Sequence, residues 1–249
     1  MHLVATPKPP AEFVEAFCAG MPSSYWVRHE HAAIREHAAI VWRRGNALAH
    51  VELQPAPDGS TAWLSVVTDD RPGLLSLLTA AISAHGLDIL SARIYCRATG
   101  RPIDEAIDFF LVSSVEVGEA TSFDEAHVGD LRRSITSLLS GETDIDDVTR
   151  RARPTARPTC SPPADVHFAE RYGEADRLTV DTQDRPGLLL AITTALFLHE
   201  VRILGSEALT VAGRAHDEFD VVDWDGSQLT QQRKATIVER IAAALTTLG

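Results

Sequence analysis

The string DRPGLL occurs twice, at Asp70–Leu75 and at Asp184–Leu189, 114 residues apart. Each copy follows a β-rich run, AWLSVVT in the first case and DRLTVDT in the second. Each precedes a run of apolar residues at helical spacing. Proline fixes the backbone φ and suits the first turn of a helix, which places Pro72 and Pro186 at helix starts. Gly73 and Gly187 lack a Cβ and let another group approach the backbone closely. A chain that builds the same strand–turn–helix corner twice is constrained to an internally duplicated fold.

The surroundings of the two corners match. After the first, Leu74, Leu78 and Ile82 share a helix face, and His85-Gly86 ends the helix with a residue suited to a left-handed cap. LDILSARIYCRA reads as a strand with Leu90, Ala92, Ile94 and Cys96 on one face. TGRP turns the chain into a second strand, EAIDFFLVSS. Ser122 and Glu125 form a capping box before a helix with Leu131, Ile135 and Leu138 inward, and Gly141 closes it. The second copy runs in the same order: a helix to about residue 200, the strands VRILGSEALTV and AHDEFDVVD joined near Gly213, and a helix carrying Ile237, Ile241 and Leu245. Asp108-x-Phe110-x-Val112 answers Asp217-x-Phe219-x-Val221. The expectation is an α+β fold of two ferredoxin-like βαββαβ units, each an antiparallel sheet with its helices on one face. The expected organisation is an N-terminal helical segment with a strand over 1–60, units over 61–141 and 166–249, and a Pro/Arg-rich linker over 142–165. Within the N-terminal segment, 11–19 and about 30–44 read as helices, the second with Ile34, Ala38 and Val41 on one face, and ALAHVEL reads as a strand.

Composition removes several classes of function. The net charge of -12 argues against nucleic-acid or anionic-membrane partners. No apolar run nears the roughly 20 residues of a membrane span, and the opening residues lack a signal peptide's apolar stretch. Cys18, Cys96 and Cys160 are scattered, which suits free thiols in the cytoplasm. No cofactor, metal site or catalytic residue is expected. His29, His31 and His37 read as a polar helix surface, since none are four apart as metal-binding pairs usually are. Asp144, Asp146 and Asp147 read as solvated linker, and His216-Asp217 as the start of a strand.

A strand-to-helix corner offers unpaired backbone N–H groups and a partly positive helix end, which suit a carboxylate. Asp70 and Asp184 can accept from an ammonium or cap the helix. Together these are what a free amino acid requires. On both DRPGLL strings, GLDILSARIY (Gly86–Tyr95) and the two D-x-F-x-V strands, the repeats resemble ACT domains, ligand-sensing modules of amino-acid metabolism. MPSSYWVRHEHAAIREHAAIV (Met21–Val41) resembles the segment that precedes the tandem ACT domains of the bacterial PII uridylyltransferase/uridylyl-removing enzymes, sensors of nitrogen status. The resemblance implies a non-catalytic, cytoplasmic, allosteric sensor whose ligand is glutamine or a related amino acid, with a protein partner or a homodimer as further possibilities. It implies binding by Asp69, Asp70, Arg71, Pro72, Gly73, Leu74 and Leu75 with the strand start Asp88 and Ile89, and by Asp184, Arg185, Pro186, Gly187, Leu188 and Leu189 in the second repeat. There Glu200 stands where Gly86 stood and Arg202 where Asp88 stood, so the first site is expected to suit an ammonium better. The alternatives are a regulatory part of such a transferase and a ligand-free assembly module.

Overall fold

The computed structural model describes residues 8–57, 59–114, 123, 125–149, 163–169 and 175–247. Ser122 of the expected capping box, Cys160 and most of the Pro/Arg-rich stretch lie outside them. The described residues begin with three helices, α1 (Ala11–Gly20), α2 (Ser23–Arg28) and α3 (His31–Arg44). The first half of the sheet follows as β1 (Ala49–Pro55), β2 (Thr61–Asp69), α4 (Leu74–Ala84), β3 (Leu87–Arg97), β4 (Glu105–Ser114) and α5 (Glu125–Ser140). After α6 (Ile145–Thr149), the second half repeats it as β5 (Asp165–Phe168), β6 (Asp176–Gln183), α7 (Leu188–Leu198), β7 (Val201–Val211), β8 (Arg214–Asp223) and α8 (Gln231–Thr247).

The eight strands make one antiparallel sheet in the order β1-β2-β4-β3-β7-β8-β6-β5. The α+β class and the antiparallel sheet are as expected; the expected unit is corrected in one respect. The fourth strand of each half precedes its repeat, as β1 or β5, so the order is ββαββα rather than βαββαβ. The two halves share one sheet, because β3 pairs with β7 from Ser91↔Leu209 to Tyr95↔Gly205. Arg93 pairs with Glu207 at the centre of that ladder, and these are equivalent positions of the two repeats. Helices α4 and α7 meet on the same axis, where the hydroxyls of the equivalent Thr79 and Thr193 lie 3.1 Å apart and both are buried. Ser76 and Thr194 stand 3.1 Å apart beside them. Each threonine also donates to the carbonyl four residues back in its own helix, at 2.8 Å, so no hydroxyl is left unpaired.

The inward helix positions read from periodicity are buried: Leu74, Leu78 and Ile82, then Leu131, Ile135 and Leu138, then Ile237, Ile241 and Leu245. They form one core with the inner sheet face. Leu90 does not share the face assigned to it, because a bulge between Ile89 and Ser91 takes it out of register. Pro72 and Pro186 do not lead their helices either. Gly73 and Gly187 cap them in the left-handed region, at φ 76° and 82°, which leaves each proline in the turn before. Glu200 adopts φ 55°, the conformation that Gly86 supplies at φ 68° in the first half. The 144–147 stretch is not plain linker. The Asp144 carboxylate accepts from the Asp146 N–H at 2.9 Å, and Val148 of α6 is buried where α6 packs on α4.

Among the described residues, a second core lies on the opposite sheet face in the first half and has no counterpart in the second. Phe17, Met21, Tyr25, Ile34, Ala38, Ile40 and Val41 of α1–α3 cover Val67, Tyr95, Ile107 and Phe109. The matching positions of the second half are Asp181, Leu209, His216 and Glu218, by the equivalent registers. There His216 is 2.7 Å from Asp181 and 3.7 Å from Glu218. The repeats are alike inside and unlike outside, so the helical cap has one half to bind. His29 and His37 belong to this core rather than to a polar surface. His37 stacks on Phe109 and shares a 2.8 Å hydrogen bond with Tyr25 Oη. His29 is 2.9 Å from Tyr95 Oη. Burial lowers His29 to a pKa of about 4 and His37 to about 3, so both are neutral near pH 7.

Transplanting the outer-face chemistry of the second half should release the cap. Phe109→Glu removes a buried ring and places a carboxylate against the neutral His37, at an expected cost of roughly 3–5 kcal/mol. Urea unfolding together with limited proteolysis of residues 8–48 measures it. Unchanged stability and unchanged protection of α1–α3 would contradict this account of the cap.

Candidate functional site

The pseudo-two-fold axis exchanges the expected sites. Each DRPGLL corner faces the start of the other repeat's second strand. Asp70–Leu75 forms one cleft with Val201–Leu204 of β7. Asp184, Arg185 and Gly187–Leu190 form another with Asp88, Ile89 and Leu90 of β3. Arg202 therefore serves the first corner and Asp88 the second, the reverse of the expected pairing, so the cation stands in the first cleft and the additional acid in the second.

The first cleft encloses about 550 Å³ counting its open mouth. The Arg202 guanidinium lies 3.6 Å from the Asp70 carboxylate, and the Cys96 thiol donates to the same oxygen at 3.6 Å. Burial raises the Asp70 pKa, and Arg202 opposes the rise. Burial, and then Asp70, push the Cys96 thiol up to about 12, so it is not a thiolate nucleophile near neutral pH. Asp108 lines the cleft floor from β4 with 1% of its surface exposed. Cation, thiol and two acids thus converge from both repeats on one opening.

The second cleft, about 380 Å³ on the same measure, gathers Asp88, Asp184 and Asp217. Burial and then Asp184 raise Asp88. Burial and then Asp184 push Asp217 to about 7. Among its described lining residues Arg185 is the only cation, and its guanidinium donates to the Leu245 carbonyl at the end of α8. Arg71 likewise donates to the Leu139 carbonyl of α5 at 2.7 Å. The arginine of each DRPGLL string therefore anchors its corner to the negative end of the second helix of its own repeat, α5 or α8. Asp69 also leaves the expected set: its carboxylate accepts from Arg44 at 2.6 Å on the cap side. Arg44 is itself buried and reaches Glu105 at 2.8 Å, so it does more than end α3 with a cation.

Pro72, Gly73, Leu74 and Leu75 line the first cleft; Gly187, Leu188 and Leu189 line the second, without Pro186. The cleft residues missing from the sequence-read set include the charged Asp108, Arg202 and Asp217 and the thiol of Cys96. The matched D-x-F-x-V strands marked Asp108 and Asp217 as a repeated acid on a buried strand, which was the available signal. Among the described residues no group of three or more His, Cys, Asp or Glu is placed to hold a metal ion, and no helix is long and apolar enough to cross a membrane.

The fold and clefts define an internally duplicated α+β protein with a charged opening at each of its two DRPGLL corners. Against known proteins, the chain is 30% identical over 230 residues to the bifunctional uridylyltransferase/uridylyl-removing enzyme of Rhodospirillum rubrum, covering 90% of this chain and 24% of that enzyme. It is 32% identical over 236 residues to the enzyme of the same name from Gluconobacter oxydans, covering 91% and 24%. The corresponding enzyme of Azospirillum brasilense shares 29% over 242 residues, covering 94% and 25%. The chain is thus homologous to a region of the uridylyltransferase/uridylyl-removing enzymes and spans about a quarter of their length. No protein-family model matches it. A solved structure of an unknown protein from Galdieria sulphuraria shares 17% identity at a TM-score of 0.21, over 76% of this chain and 91% of that one, a score too low to bear on the fold.

The two corner glycines should respond differently to substitution. Both need a left-handed backbone, so alanine strains either one. A Cβ on Gly73 would also stand 2.6 Å from the Phe197 ring of the other repeat, whereas one on Gly187 meets nothing within 4 Å. Gly73→Ala should therefore cost more stability than Gly187→Ala, by roughly 1–2 kcal/mol, read as a difference in urea midpoints. Equal costs would mean that Phe197 yields freely and does not brace the first cleft.

Proposed function

We propose that this chain is the regulatory portion of a protein of the uridylyltransferase/uridylyl-removing type. In this reading its two halves are an ACT pair, and its first cleft binds a free amino acid, glutamine foremost, in the cytoplasm. The observation that carries the reading is Arg202 facing Asp70 across the repeat boundary, with Asp108 beneath. A zwitterion has a carboxylate for the arginine and an ammonium for the acids, so both of its charges find partners in one cleft. Arg202, a cation that would oppose an ammonium, stands at the first corner, where it supplies the carboxylate's partner. Homology to about a quarter of the enzymes' length supports a regulatory rather than a catalytic role. Ordering of the two halves around a shared ligand is the means by which binding would reach the rest of such a protein.

A thermal-shift panel of the twenty amino acids and 2-oxoglutarate tests the binding. A ligand held at about 0.1 mM and supplied at about 10 mM stabilises the fold by about 2.7 kcal/mol, which is several degrees in Tm for a chain of this size. No shift with any of them would remove the sensor reading and favour a ligand-free assembly module. The catalytic side is tested separately. Incubation with labelled UTP, magnesium or manganese and a PII-type acceptor protein should leave the acceptor unlabelled. Metal-dependent labelling would overturn the regulatory assignment.

A further inference from the structure

Asp108 is the least accounted-for charged residue among the described ones. It is 1% exposed, and neither carboxylate oxygen has a hydrogen-bond partner. Its equivalent Asp217 accepts a hydrogen bond from the backbone N–H of Leu209. The first half thus leaves open what the second half fills, at the floor of the cleft that also holds Arg202. The charged and titratable groups around it are Asp70 and Arg71 from the β2–α4 corner, Tyr95 and Cys96 from β3 and Arg202 from β7, with Asp104 acting on Asp70 and Cys96 from the β3–β4 turn; Arg71 is turned to the Leu139 carbonyl and the Tyr95 hydroxyl to His29. The Arg202 guanidinium and the Cys96 thiol are both turned to Asp70. An ionised carboxyl without a donor is strongly disfavoured in such a place, and burial followed by Asp70 raises the Asp108 pKa well above the usual carboxylate range. Burial and the lack of a donor therefore both favour the neutral form of the Asp108 carboxyl.

We propose that Asp108 accepts the ligand's ammonium group in the first cleft, and that seating this group releases the Asp108 proton to solvent. The proposal deepens the amino-acid reading above and rests on it. The step balances: the O–H bond of the Asp108 carboxyl breaks, its proton leaves to solvent, and the incoming R–NH3+ keeps its three N–H bonds. A buried ammonium–carboxylate pair replaces a buried neutral acid. The chemistry selects ligands with a cationic amine beside a carboxylate and rejects 2-oxoglutarate, which brings a second anion and no donor cation.

The test is calorimetric titration of the full chain with L-glutamine at about pH 6, above the ordinary carboxylate range, in two buffers of different ionisation enthalpy. The dependence of the observed heat on the buffer counts the protons exchanged. Wild type should release close to one proton per ligand bound in the first cleft, and its affinity should rise with pH by up to about tenfold per unit while Asp108 is protonated in the free protein. Asp108→Asn should abolish the release and weaken binding about 10- to 100-fold, with the unliganded Tm unchanged or higher. A residue with a merely structural role would move the Tm and leave the proton count alone. Binding by wild type without buffer dependence, or the same proton release in Asp108→Asn, overturns the assignment of Asp108 and leaves the amino-acid reading standing. Absence of binding by wild type of L-glutamine and of each of the other nineteen amino acids under the same conditions overturns both.

Discussion

The junction of β3 with β7 is the contact on which the rest of the molecule depends. Five backbone pairs join two four-stranded halves into one sheet, and the equivalent residues Arg93 and Glu207 face each other at its centre. Above the sheet, α4 and α7 close the same axis through Thr79 and Thr193. A two-fold contact brings each surface patch against its own copy, so matched small hydroxyls can interlock where bulky equivalents would collide. It also carries each corner past its own strand and onto the strand of its neighbour. Both clefts are products of that junction, and neither would exist in a repeat standing alone.

Once the axis is set, the clefts differ through single positions. Asp88 and Arg202 are equivalent residues, yet each faces the other repeat's corner. One cleft thereby acquires a cation among acids, and the other a third acid. Opposite charges near each other in a partly buried opening complement a dipolar ligand at little cost in desolvated net charge. Three acids in one opening relieve themselves by holding protons, which is the direction of both Asp88 and Asp217. The same divergence works on the outer sheet face. Phe109 and Ile107 become Glu218 and His216, and the helical cap is confined to the first half.

Local structure was readable from residues because it is governed by periodicity and by a few special conformations. The helix faces through Leu74, Leu78 and Ile82, and through Ile237, Ile241 and Leu245, need only a 3.6-residue repeat to be seen. Gly86 and Gly141 mark helix ends for reasons contained in their own backbones. The clefts were not readable in this way. Which strand start meets which corner depends on a contact between segments more than 100 residues apart, and no local pattern reports it. His37 was misread for a related reason: a histidine on a mostly polar helix suggests solvent until the sheet face opposite is known. A comparison of the two repeats held the missing sign. Val67, Ile107 and Phe109 are apolar where Asp181, His216 and Glu218 are polar, and an apolar outer face in one copy alone implies something that covers it.

The end of β2 shows how closely the two faces are tied. Successive strand residues point to opposite sides. Asp69 turns to the cap, where it holds Arg44, and Asp70 turns to the first cleft, where it meets Arg202. Arg44 also binds Glu105 at the start of β4, and Arg97 at the end of β3 binds Glu105 at 2.6 Å. Asp108 lies three residues along β4 from Glu105. The buried charges of the cap and those of the cleft thus sit on the same short lengths of β2, β3 and β4. Arg44, Arg97 and Glu105 are all largely buried and Glu105 serves both arginines, so loss of Glu105 would leave two buried guanidiniums short of a carboxylate, a costly arrangement that holds these strand ends in a single geometry. A rigid frame of that kind keeps Asp70, Cys96 and Asp108 at fixed spacing before any ligand arrives. The one cleft group carried by the other repeat, Arg202, is then placed by the β3–β7 junction, and the same junction that assembles the cleft sets the distance between its opposite charges.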